Sequence, residues 1–150
     1  MIPFHSVLPE LAQREVRCVH LGRSPDAESE SALPADEYIY LEYYCDDLEC
    51  DCRRVLLEVI AKGQPGKVFA LITYGWDKES FYRKRMLWAR DAARGIVRGE
   101  LDRLNEQSEF AQEFLELFHR FVLDEPYRLR LRRHYQLFRE EVARRQKDEG

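Results

Sequence analysis

The sequence predicts an α+β fold: a small antiparallel meander sheet of three to four strands, packed by about three C-terminal α-helices. Three observations predict it. Residues 15–75 carry β-prone runs in which apolar and polar positions alternate with a period of two. From residue 77 onward the apolar period becomes about 3.6, that of a helix. The chain has 150 residues, 45% of them hydrophobic and 12% aromatic, enough to fill one core without disulfide staples. The expected organisation is therefore a single domain over 1–150, mainly β over 15–75 and mainly α over 77–145.

The elements follow in order. In residues 15–21, Val16, Cys18 and His20 alternate with Arg17 and Val19, as in a short strand. Residues 22–36, GRSPDAESESALPAD, have no apolar periodicity and predict an exposed loop. Residues 37–45 are strongly β-prone, with Ile39, Leu41, Tyr43 and Cys45 on one face and Tyr38, Tyr40, Glu42 and Tyr44 on the other. The runs 54–61 and 67–74 flank Gly63-Gln-Pro-Gly66 and predict an antiparallel hairpin. Residues 78 to about 94 predict a helix, with Phe81, Tyr82, Met86, Trp88 and Ala89 apolar and Gly95 at its end. Ser108 predicts the cap of a helix running to Leu123, with Phe110, Phe114, Leu117, Phe118 and Phe121 as its stripe. Asp124-Glu125-Pro126 ends that helix and starts another, because proline suits the first turn and acids suit the positive end of the helix dipole. Its stripe is Tyr127, Leu131, His134, Tyr135, Phe138 and Val142, and fraying is expected after Arg144.

Charge and punctuation exclude several functions. Residues 1–60 have a net charge of −8 and residues 126–150 of +4, against −4 for the whole chain. The acidic front half repels phosphates, so nucleic acid is not an expected partner. Arg128, Arg130, Arg132, Arg133 and Arg139 spread around the polar arc of the last helix and predict a solvated face. Tyr38, Tyr40 and Tyr44 share a strand face with Glu42 and predict core packing instead of a base-stacking platform. No apolar run is long enough to span a membrane, and residues 1–10 lack the basic and apolar regions of a signal peptide, so the expected location is the cytoplasm. GxxxxGKS, GxGxxG, HExxH and GxSxG are all missing.

The most informative stretch is Tyr44-Cys45-Asp-Asp-Leu-Glu-Cys50-Asp-Cys52-Arg53-Arg54, with three of the four cysteines in eight residues between two strands. Strands fix the first and last thiol while the loop folds the middle one towards them, a common way to build a thiolate zinc site. Arg53 and Arg54 offset the charge of such a site. Other readings of the cluster are a Cys45–Cys52 disulfide, disfavoured in a reducing cytosol, a reactive thiol, or inert thiols in a turn. Asp46, Asp47, Glu49 and Asp51 lack the spacing of a calcium loop. For the fourth ligand His134 leads, as the one histidine on an apolar helical stripe, with Asp77, His119 and His5 behind it. Cys18 and His20 fall at the other end of the strand, where Cys18 is expected to be a small buried hydrophobe. The Tyr74-Gly-Trp-Asp77 segment should converge with Cys45 and Arg53 at one sheet edge, Gly75 as a turn residue and Trp76 in the core.

The run YCDDLECDCRRV, with ITYGW, FYRKRMLW, QSEFAQEFLELF and RLRRHYQLF after it, resembles a family of uncharacterised bacterial proteins with a Tyr-Cys-x4-Cys-Asp-Cys-Arg-Arg signature. The resemblance spans roughly residues 33–140 and implies no established activity. SEC-C-type metal motifs are only superficially similar, since their closing Cys-His pair is missing after Cys52. Two functions follow. One is a non-enzymatic, zinc-stabilised domain with a protein partner. The other is a metal- or thiol-dependent enzyme with an open site near Trp76 and Asp77. Four protein ligands would favour the first, and three ligands facing a cleft the second.

Overall fold

The computed structural model describes residues 1–23, 33–87 and 89–150, and for Arg90 the backbone alone. Trp88 and most of the expected 22–36 loop (24–32) lie outside the described residues. The fold is α+β, with one open antiparallel sheet, helices over the main core on its inner face, and the helices within 79–98 against the opposite face at Gly75, around a small second cluster of Tyr82, Ala93 and Ile96. A central meander of β3 (Asp36–Tyr44), β4 (Arg54–Ala61) and β5 (Gln64–Gly75) forms along the period-two runs, but the turn is Lys62-Gly63 alone: Gln64–Gly66, expected in the connection, belong to β5, with a bulged register against Val59–Ala61. Leu57 pairs with Glu42 on one side and with Ile72 on the other.

Three short strands extend the meander. Both β1 (Ile2–Pro3) and β2 (Arg17–Leu21) lie along the free edge of β3, at Tyr43–Tyr44 and at Asp36–Tyr40 respectively. Strand β6 (Glu100–Leu101) adds to the edge of β5. Two short helices, α1 (Phe4–Val7) and α2 (Pro9–Glu15), join β1 to β2. Their few residues give no periodic signal, but Pro9 occupies the first turn of α2, where its missing N–H costs nothing. Cys18 alternates onto the outer face of edge strand β2 and is exposed, which corrects the buried position expected for it.

The core is the inner face of the meander and the helices over it. Tyr38, Tyr40 and Tyr44, with Val55, Leu57, Val59 and Ile72, meet Phe114, Phe118, Leu131 and Phe138. The Tyr38 ring packs edge-on against Phe69 and Phe114, at centroid distances of 5.3 and 4.7 Å. The last helix, α6 (Glu125–Glu149), buries the predicted stripe in full, Tyr127, Leu131, His134, Tyr135, Phe138 and Val142. Asp124 caps it by accepting from the Tyr127 N–H at 2.9 Å. Contrary to the fraying expected after Arg144, the helix continues to Glu149, and Arg144 bridges Glu141 and Asp148 across successive turns.

Two helical expectations are corrected. The segment 78–94 forms not one helix but α3 (Glu79–Arg85) and α4 (Arg90–Arg98), and the second passes through Gly95. A Cβ at Gly95 would collide with the Glu100 carboxylate, while Gly99, at φ +87°, makes the stop. Between Ser108 and Leu123, α5 (Ala111–Leu117) starts at residue 111 and gives way to a π-helical turn, Phe118–Val122. The wider turn swings Phe121 outward, to 68% exposure, and brings Val122 inward. No helix among the described residues is long and apolar enough to cross a membrane.

Candidate metal centre

Three side chains converge where β3 runs into β4. Cys45 follows the last residue of β3, and Cys52 lies two residues before β4. Between them the chain doubles back at an Asx turn: Asp47 Oδ1 accepts from the Glu49 N–H at 2.9 Å, and its carbonyl accepts from the Cys50 N–H at 3.1 Å. This turn folds Cys50 onto the other two, and the three sulfur atoms all lie within 4.8 Å of one another. Around a tetrahedral zinc ion with Zn–S bonds of about 2.3 Å, the sulfurs would be about 3.8 Å apart. The fit needs only a small contraction of half-buried side chains. All four cysteines carry free thiols, so the structure contains no Cys45–Cys52 disulfide.

The loop is clamped from two sides. Arg139 of α6 donates to three of its carbonyls, Asp47 at 3.2 Å, Cys50 at 2.7 Å and Leu48 at 2.5 Å. On the other side, Arg53 has a left-handed backbone, φ +44°, uncommon for a residue with a Cβ. Tyr82 holds that turn, donating from its hydroxyl to the Arg53 carbonyl at 2.6 Å and accepting the Asp77 N–H at 3.0 Å. A Cβ on Gly75 would strike Tyr82 and Ile96, so this glycine serves close approach and not the expected turn. The Arg53 guanidinium grips both oxygens of Asp51, at 2.9 and 2.8 Å, and Asp77 at 2.8 Å. The guanidinium groups of Arg53 and Arg85 lie over the Phe81 ring, 4.3 and 3.7 Å from its centre.

The electrostatics separate structural from reactive groups. Burial, followed by the neighbouring Cys52 and Cys45 thiols, pushes the Cys50 thiol up to about 11. A metal ion would reverse that preference, since a coordinated thiol is held as the thiolate. The hydrogen bond from Arg53, with the Lys78 N–H behind it, holds the Asp77 carboxyl below its ordinary value. Asp77 is thus spent on Arg53, and convergence of the 74–77 segment with the cluster occurs through this ion pair.

The other expected ligands sit elsewhere. Among the described residues, no histidine, aspartate or glutamate joins the three thiols within ligand distance. His134 is 1% exposed, stacked on Phe4 at 4.5 Å, with Nδ1 2.8 Å from Glu42 Oε2 and Nε2 2.6 Å from Glu15 Oε2. Both ring nitrogens are occupied by carboxylates. Glu42 in turn accepts from the Tyr44 hydroxyl at 2.7 Å. The Nε2 of His119 faces the Gly99 carbonyl at 2.8 Å, and His5 is exposed on α1.

The helix arginines are not simply a solvated face. Arg130 donates to the Glu15 carbonyl, Arg133 pairs with the Glu15 carboxylate and Arg139 holds the thiol loop. Sequence reasoning missed Arg139 and Tyr82, because their partners are backbone carbonyls that leave no pattern in the chain.

Among the described residues, two cavities lie in this region. One, of about 310 Å³, is lined by Cys50 and Cys52 together with Arg54, Tyr82, Arg85 and Met86. The other, of about 290 Å³, lies on the far side of Arg53 between Trp76, Asp77, Arg132 and Tyr135. Comparison with protein-family models, with curated proteins and with solved structures finds no match.

Proposed function

We propose that this chain is a zinc-binding domain in which Cys45, Cys50 and Cys52 hold one ion and leave its fourth position to the adjoining cavity. The convergence of three sulfurs within 4.8 Å carries this reading. Soft thiolates select zinc over magnesium or calcium, and zinc accepts three protein ligands plus a water or small molecule in an open site. Arg54 beside the thiols and Arg139 behind their loop offset the negative charge of a zinc–thiolate centre. Free thiols and thiolate zinc both suit a reducing compartment such as the cytoplasm.

A zinc site that only braces the β3–β4 connection for a protein partner is the second reading, favoured by the clamp that Arg139 places between the loop and α6. The cavity beside Cys50 and Cys52 favours the open centre over it. Elemental analysis of protein purified without chelators tests the proposal. About one zinc per chain is expected, lost in C45S, C50S and C52S and retained in C18S. Metal-free protein with an intramolecular disulfide would overturn it.

A further inference from the structure

The cavity of about 310 Å³ beside Cys50 and Cys52 has the chemistry of a ligand site. Its volume corresponds to about ten water molecules, room for a molecule of several heavy atoms. The Met86 side chain and the Tyr82 ring supply apolar wall. Arg54 and Arg85 supply positive charge, and Asp51 negative charge.

Those charges are not equally available. The Asp51 carboxylate is held by Arg53 through two hydrogen bonds and lies 3.8 Å from Arg85. The half-buried Arg54 side chain makes no hydrogen bond or ion pair among the described residues, and its Nε alone is buried without an acceptor. A charged donor buried without a partner is costly, whereas one paired with an anion is among the stronger polar interactions. Arg85 already has Asp51 beside it, so Arg54 is the cavity guanidinium that no carboxylate among the described residues pairs, a local match for one anionic group.

We propose that this cavity binds a small monocarboxylate with a compact apolar body, its carboxylate paired with Arg54 and Arg85 and its body against Met86 and Tyr82. The proposal rests on the zinc reading, since it places the ligand beside the open coordination position. A carboxylate suits the two guanidinium groups because its two oxygens can accept from both. An uncharged molecule of the same shape would leave Arg54 unpaired.

Isovalerate and its uncharged amide are the probes. Zinc-loaded protein labelled with ¹⁵N is titrated with each, following the side-chain Nε–H resonances of Arg54 and Arg85. Isovalerate should saturate and shift both resonances, with the amide weaker by about tenfold or more. Arg54→Met and Arg85→Met should each weaken isovalerate by a similar factor; Arg85 is half-exposed, so its replacement leaves the fold in place. Equal binding of acid and amide, unchanged affinity in both variants, or no saturable binding would overturn the proposal. Zinc content is measured on the same samples. A chain without zinc sinks the metal reading, and the titration of that zinc-free protein then decides the carboxylate site by the same Arg54 criterion.

Discussion

Arg139 joins α6 to the thiol loop through three of the loop's carbonyls. Replacing it with leucine leaves three loop carbonyls without their charged donor. Residues that orient metal ligands typically cost 10–100-fold in affinity when removed. Arg139→Leu should therefore weaken zinc binding about tenfold, read by competition with a chromophoric chelator, while circular dichroism stays that of the parent. An unchanged affinity would mean that the loop holds its shape unaided. At this scale the sequence was half legible. Cysteine spacing exposed the three thiols, since few other structures need three thiols in eight residues. It could not expose Arg139, whose role depends on carbonyls about ninety residues away in the chain.

At the scale of elements, the π-helical turn after α5 decides which aromatic is core. Phe114 is fully buried, whereas Phe121 is 68% exposed. Phe114→Ala should cost about 3–5 kcal/mol in chemical denaturation, and Phe121→Ala less than about 0.5 kcal/mol. Comparable losses would mean that Phe121 packs inward after all. A regular helical period places both on one stripe, so only the inserted turn separates them, and no residue in FHRFV announces it. Strands β3, β4 and β5 and helix α6 were legible for the opposite reason. Their apolar positions repeat over eight or more residues, long enough for the period to outweigh local exceptions. Strands β1 and β6, two residues each, are too short to show a period and exist only through their partners.

At the scale of the molecule, His134 ties three elements together, with Glu15 at the end of α2, Glu42 on β3 and its own place on α6. Each ring nitrogen lies within hydrogen-bond distance of one carboxylate. His134→Ala leaves Glu42 buried without this partner and should destabilise the fold by about 3–5 kcal/mol, yet leave zinc stoichiometry unchanged. Loss of zinc with the fold intact would return His134 to the metal. The same network sets a pH dependence. Its hydrogen bond to His134, then its pairing with Arg133, holds the Glu15 carboxyl below the ordinary value. Glu15 therefore contributes stability in full above a pKa of about 4.3, and that contribution is lost as pH falls through the lower folded value. The gap in urea midpoint between parent and Glu15→Gln should be full at about pH 7 and shrink towards about pH 3. A gap independent of pH would show that the charge of Glu15 is not what stabilises.

The thiol cluster itself is tested most directly by zinc-edge X-ray absorption of the loaded protein. Three sulfur neighbours at about 2.3 Å with one nitrogen or oxygen at about 2.0 Å is the predicted shell, the light atom being exchangeable solvent or ligand at the cavity. A shell without sulfur, or one with four sulfurs, would contradict a centre built from Cys45, Cys50 and Cys52 with its fourth position open.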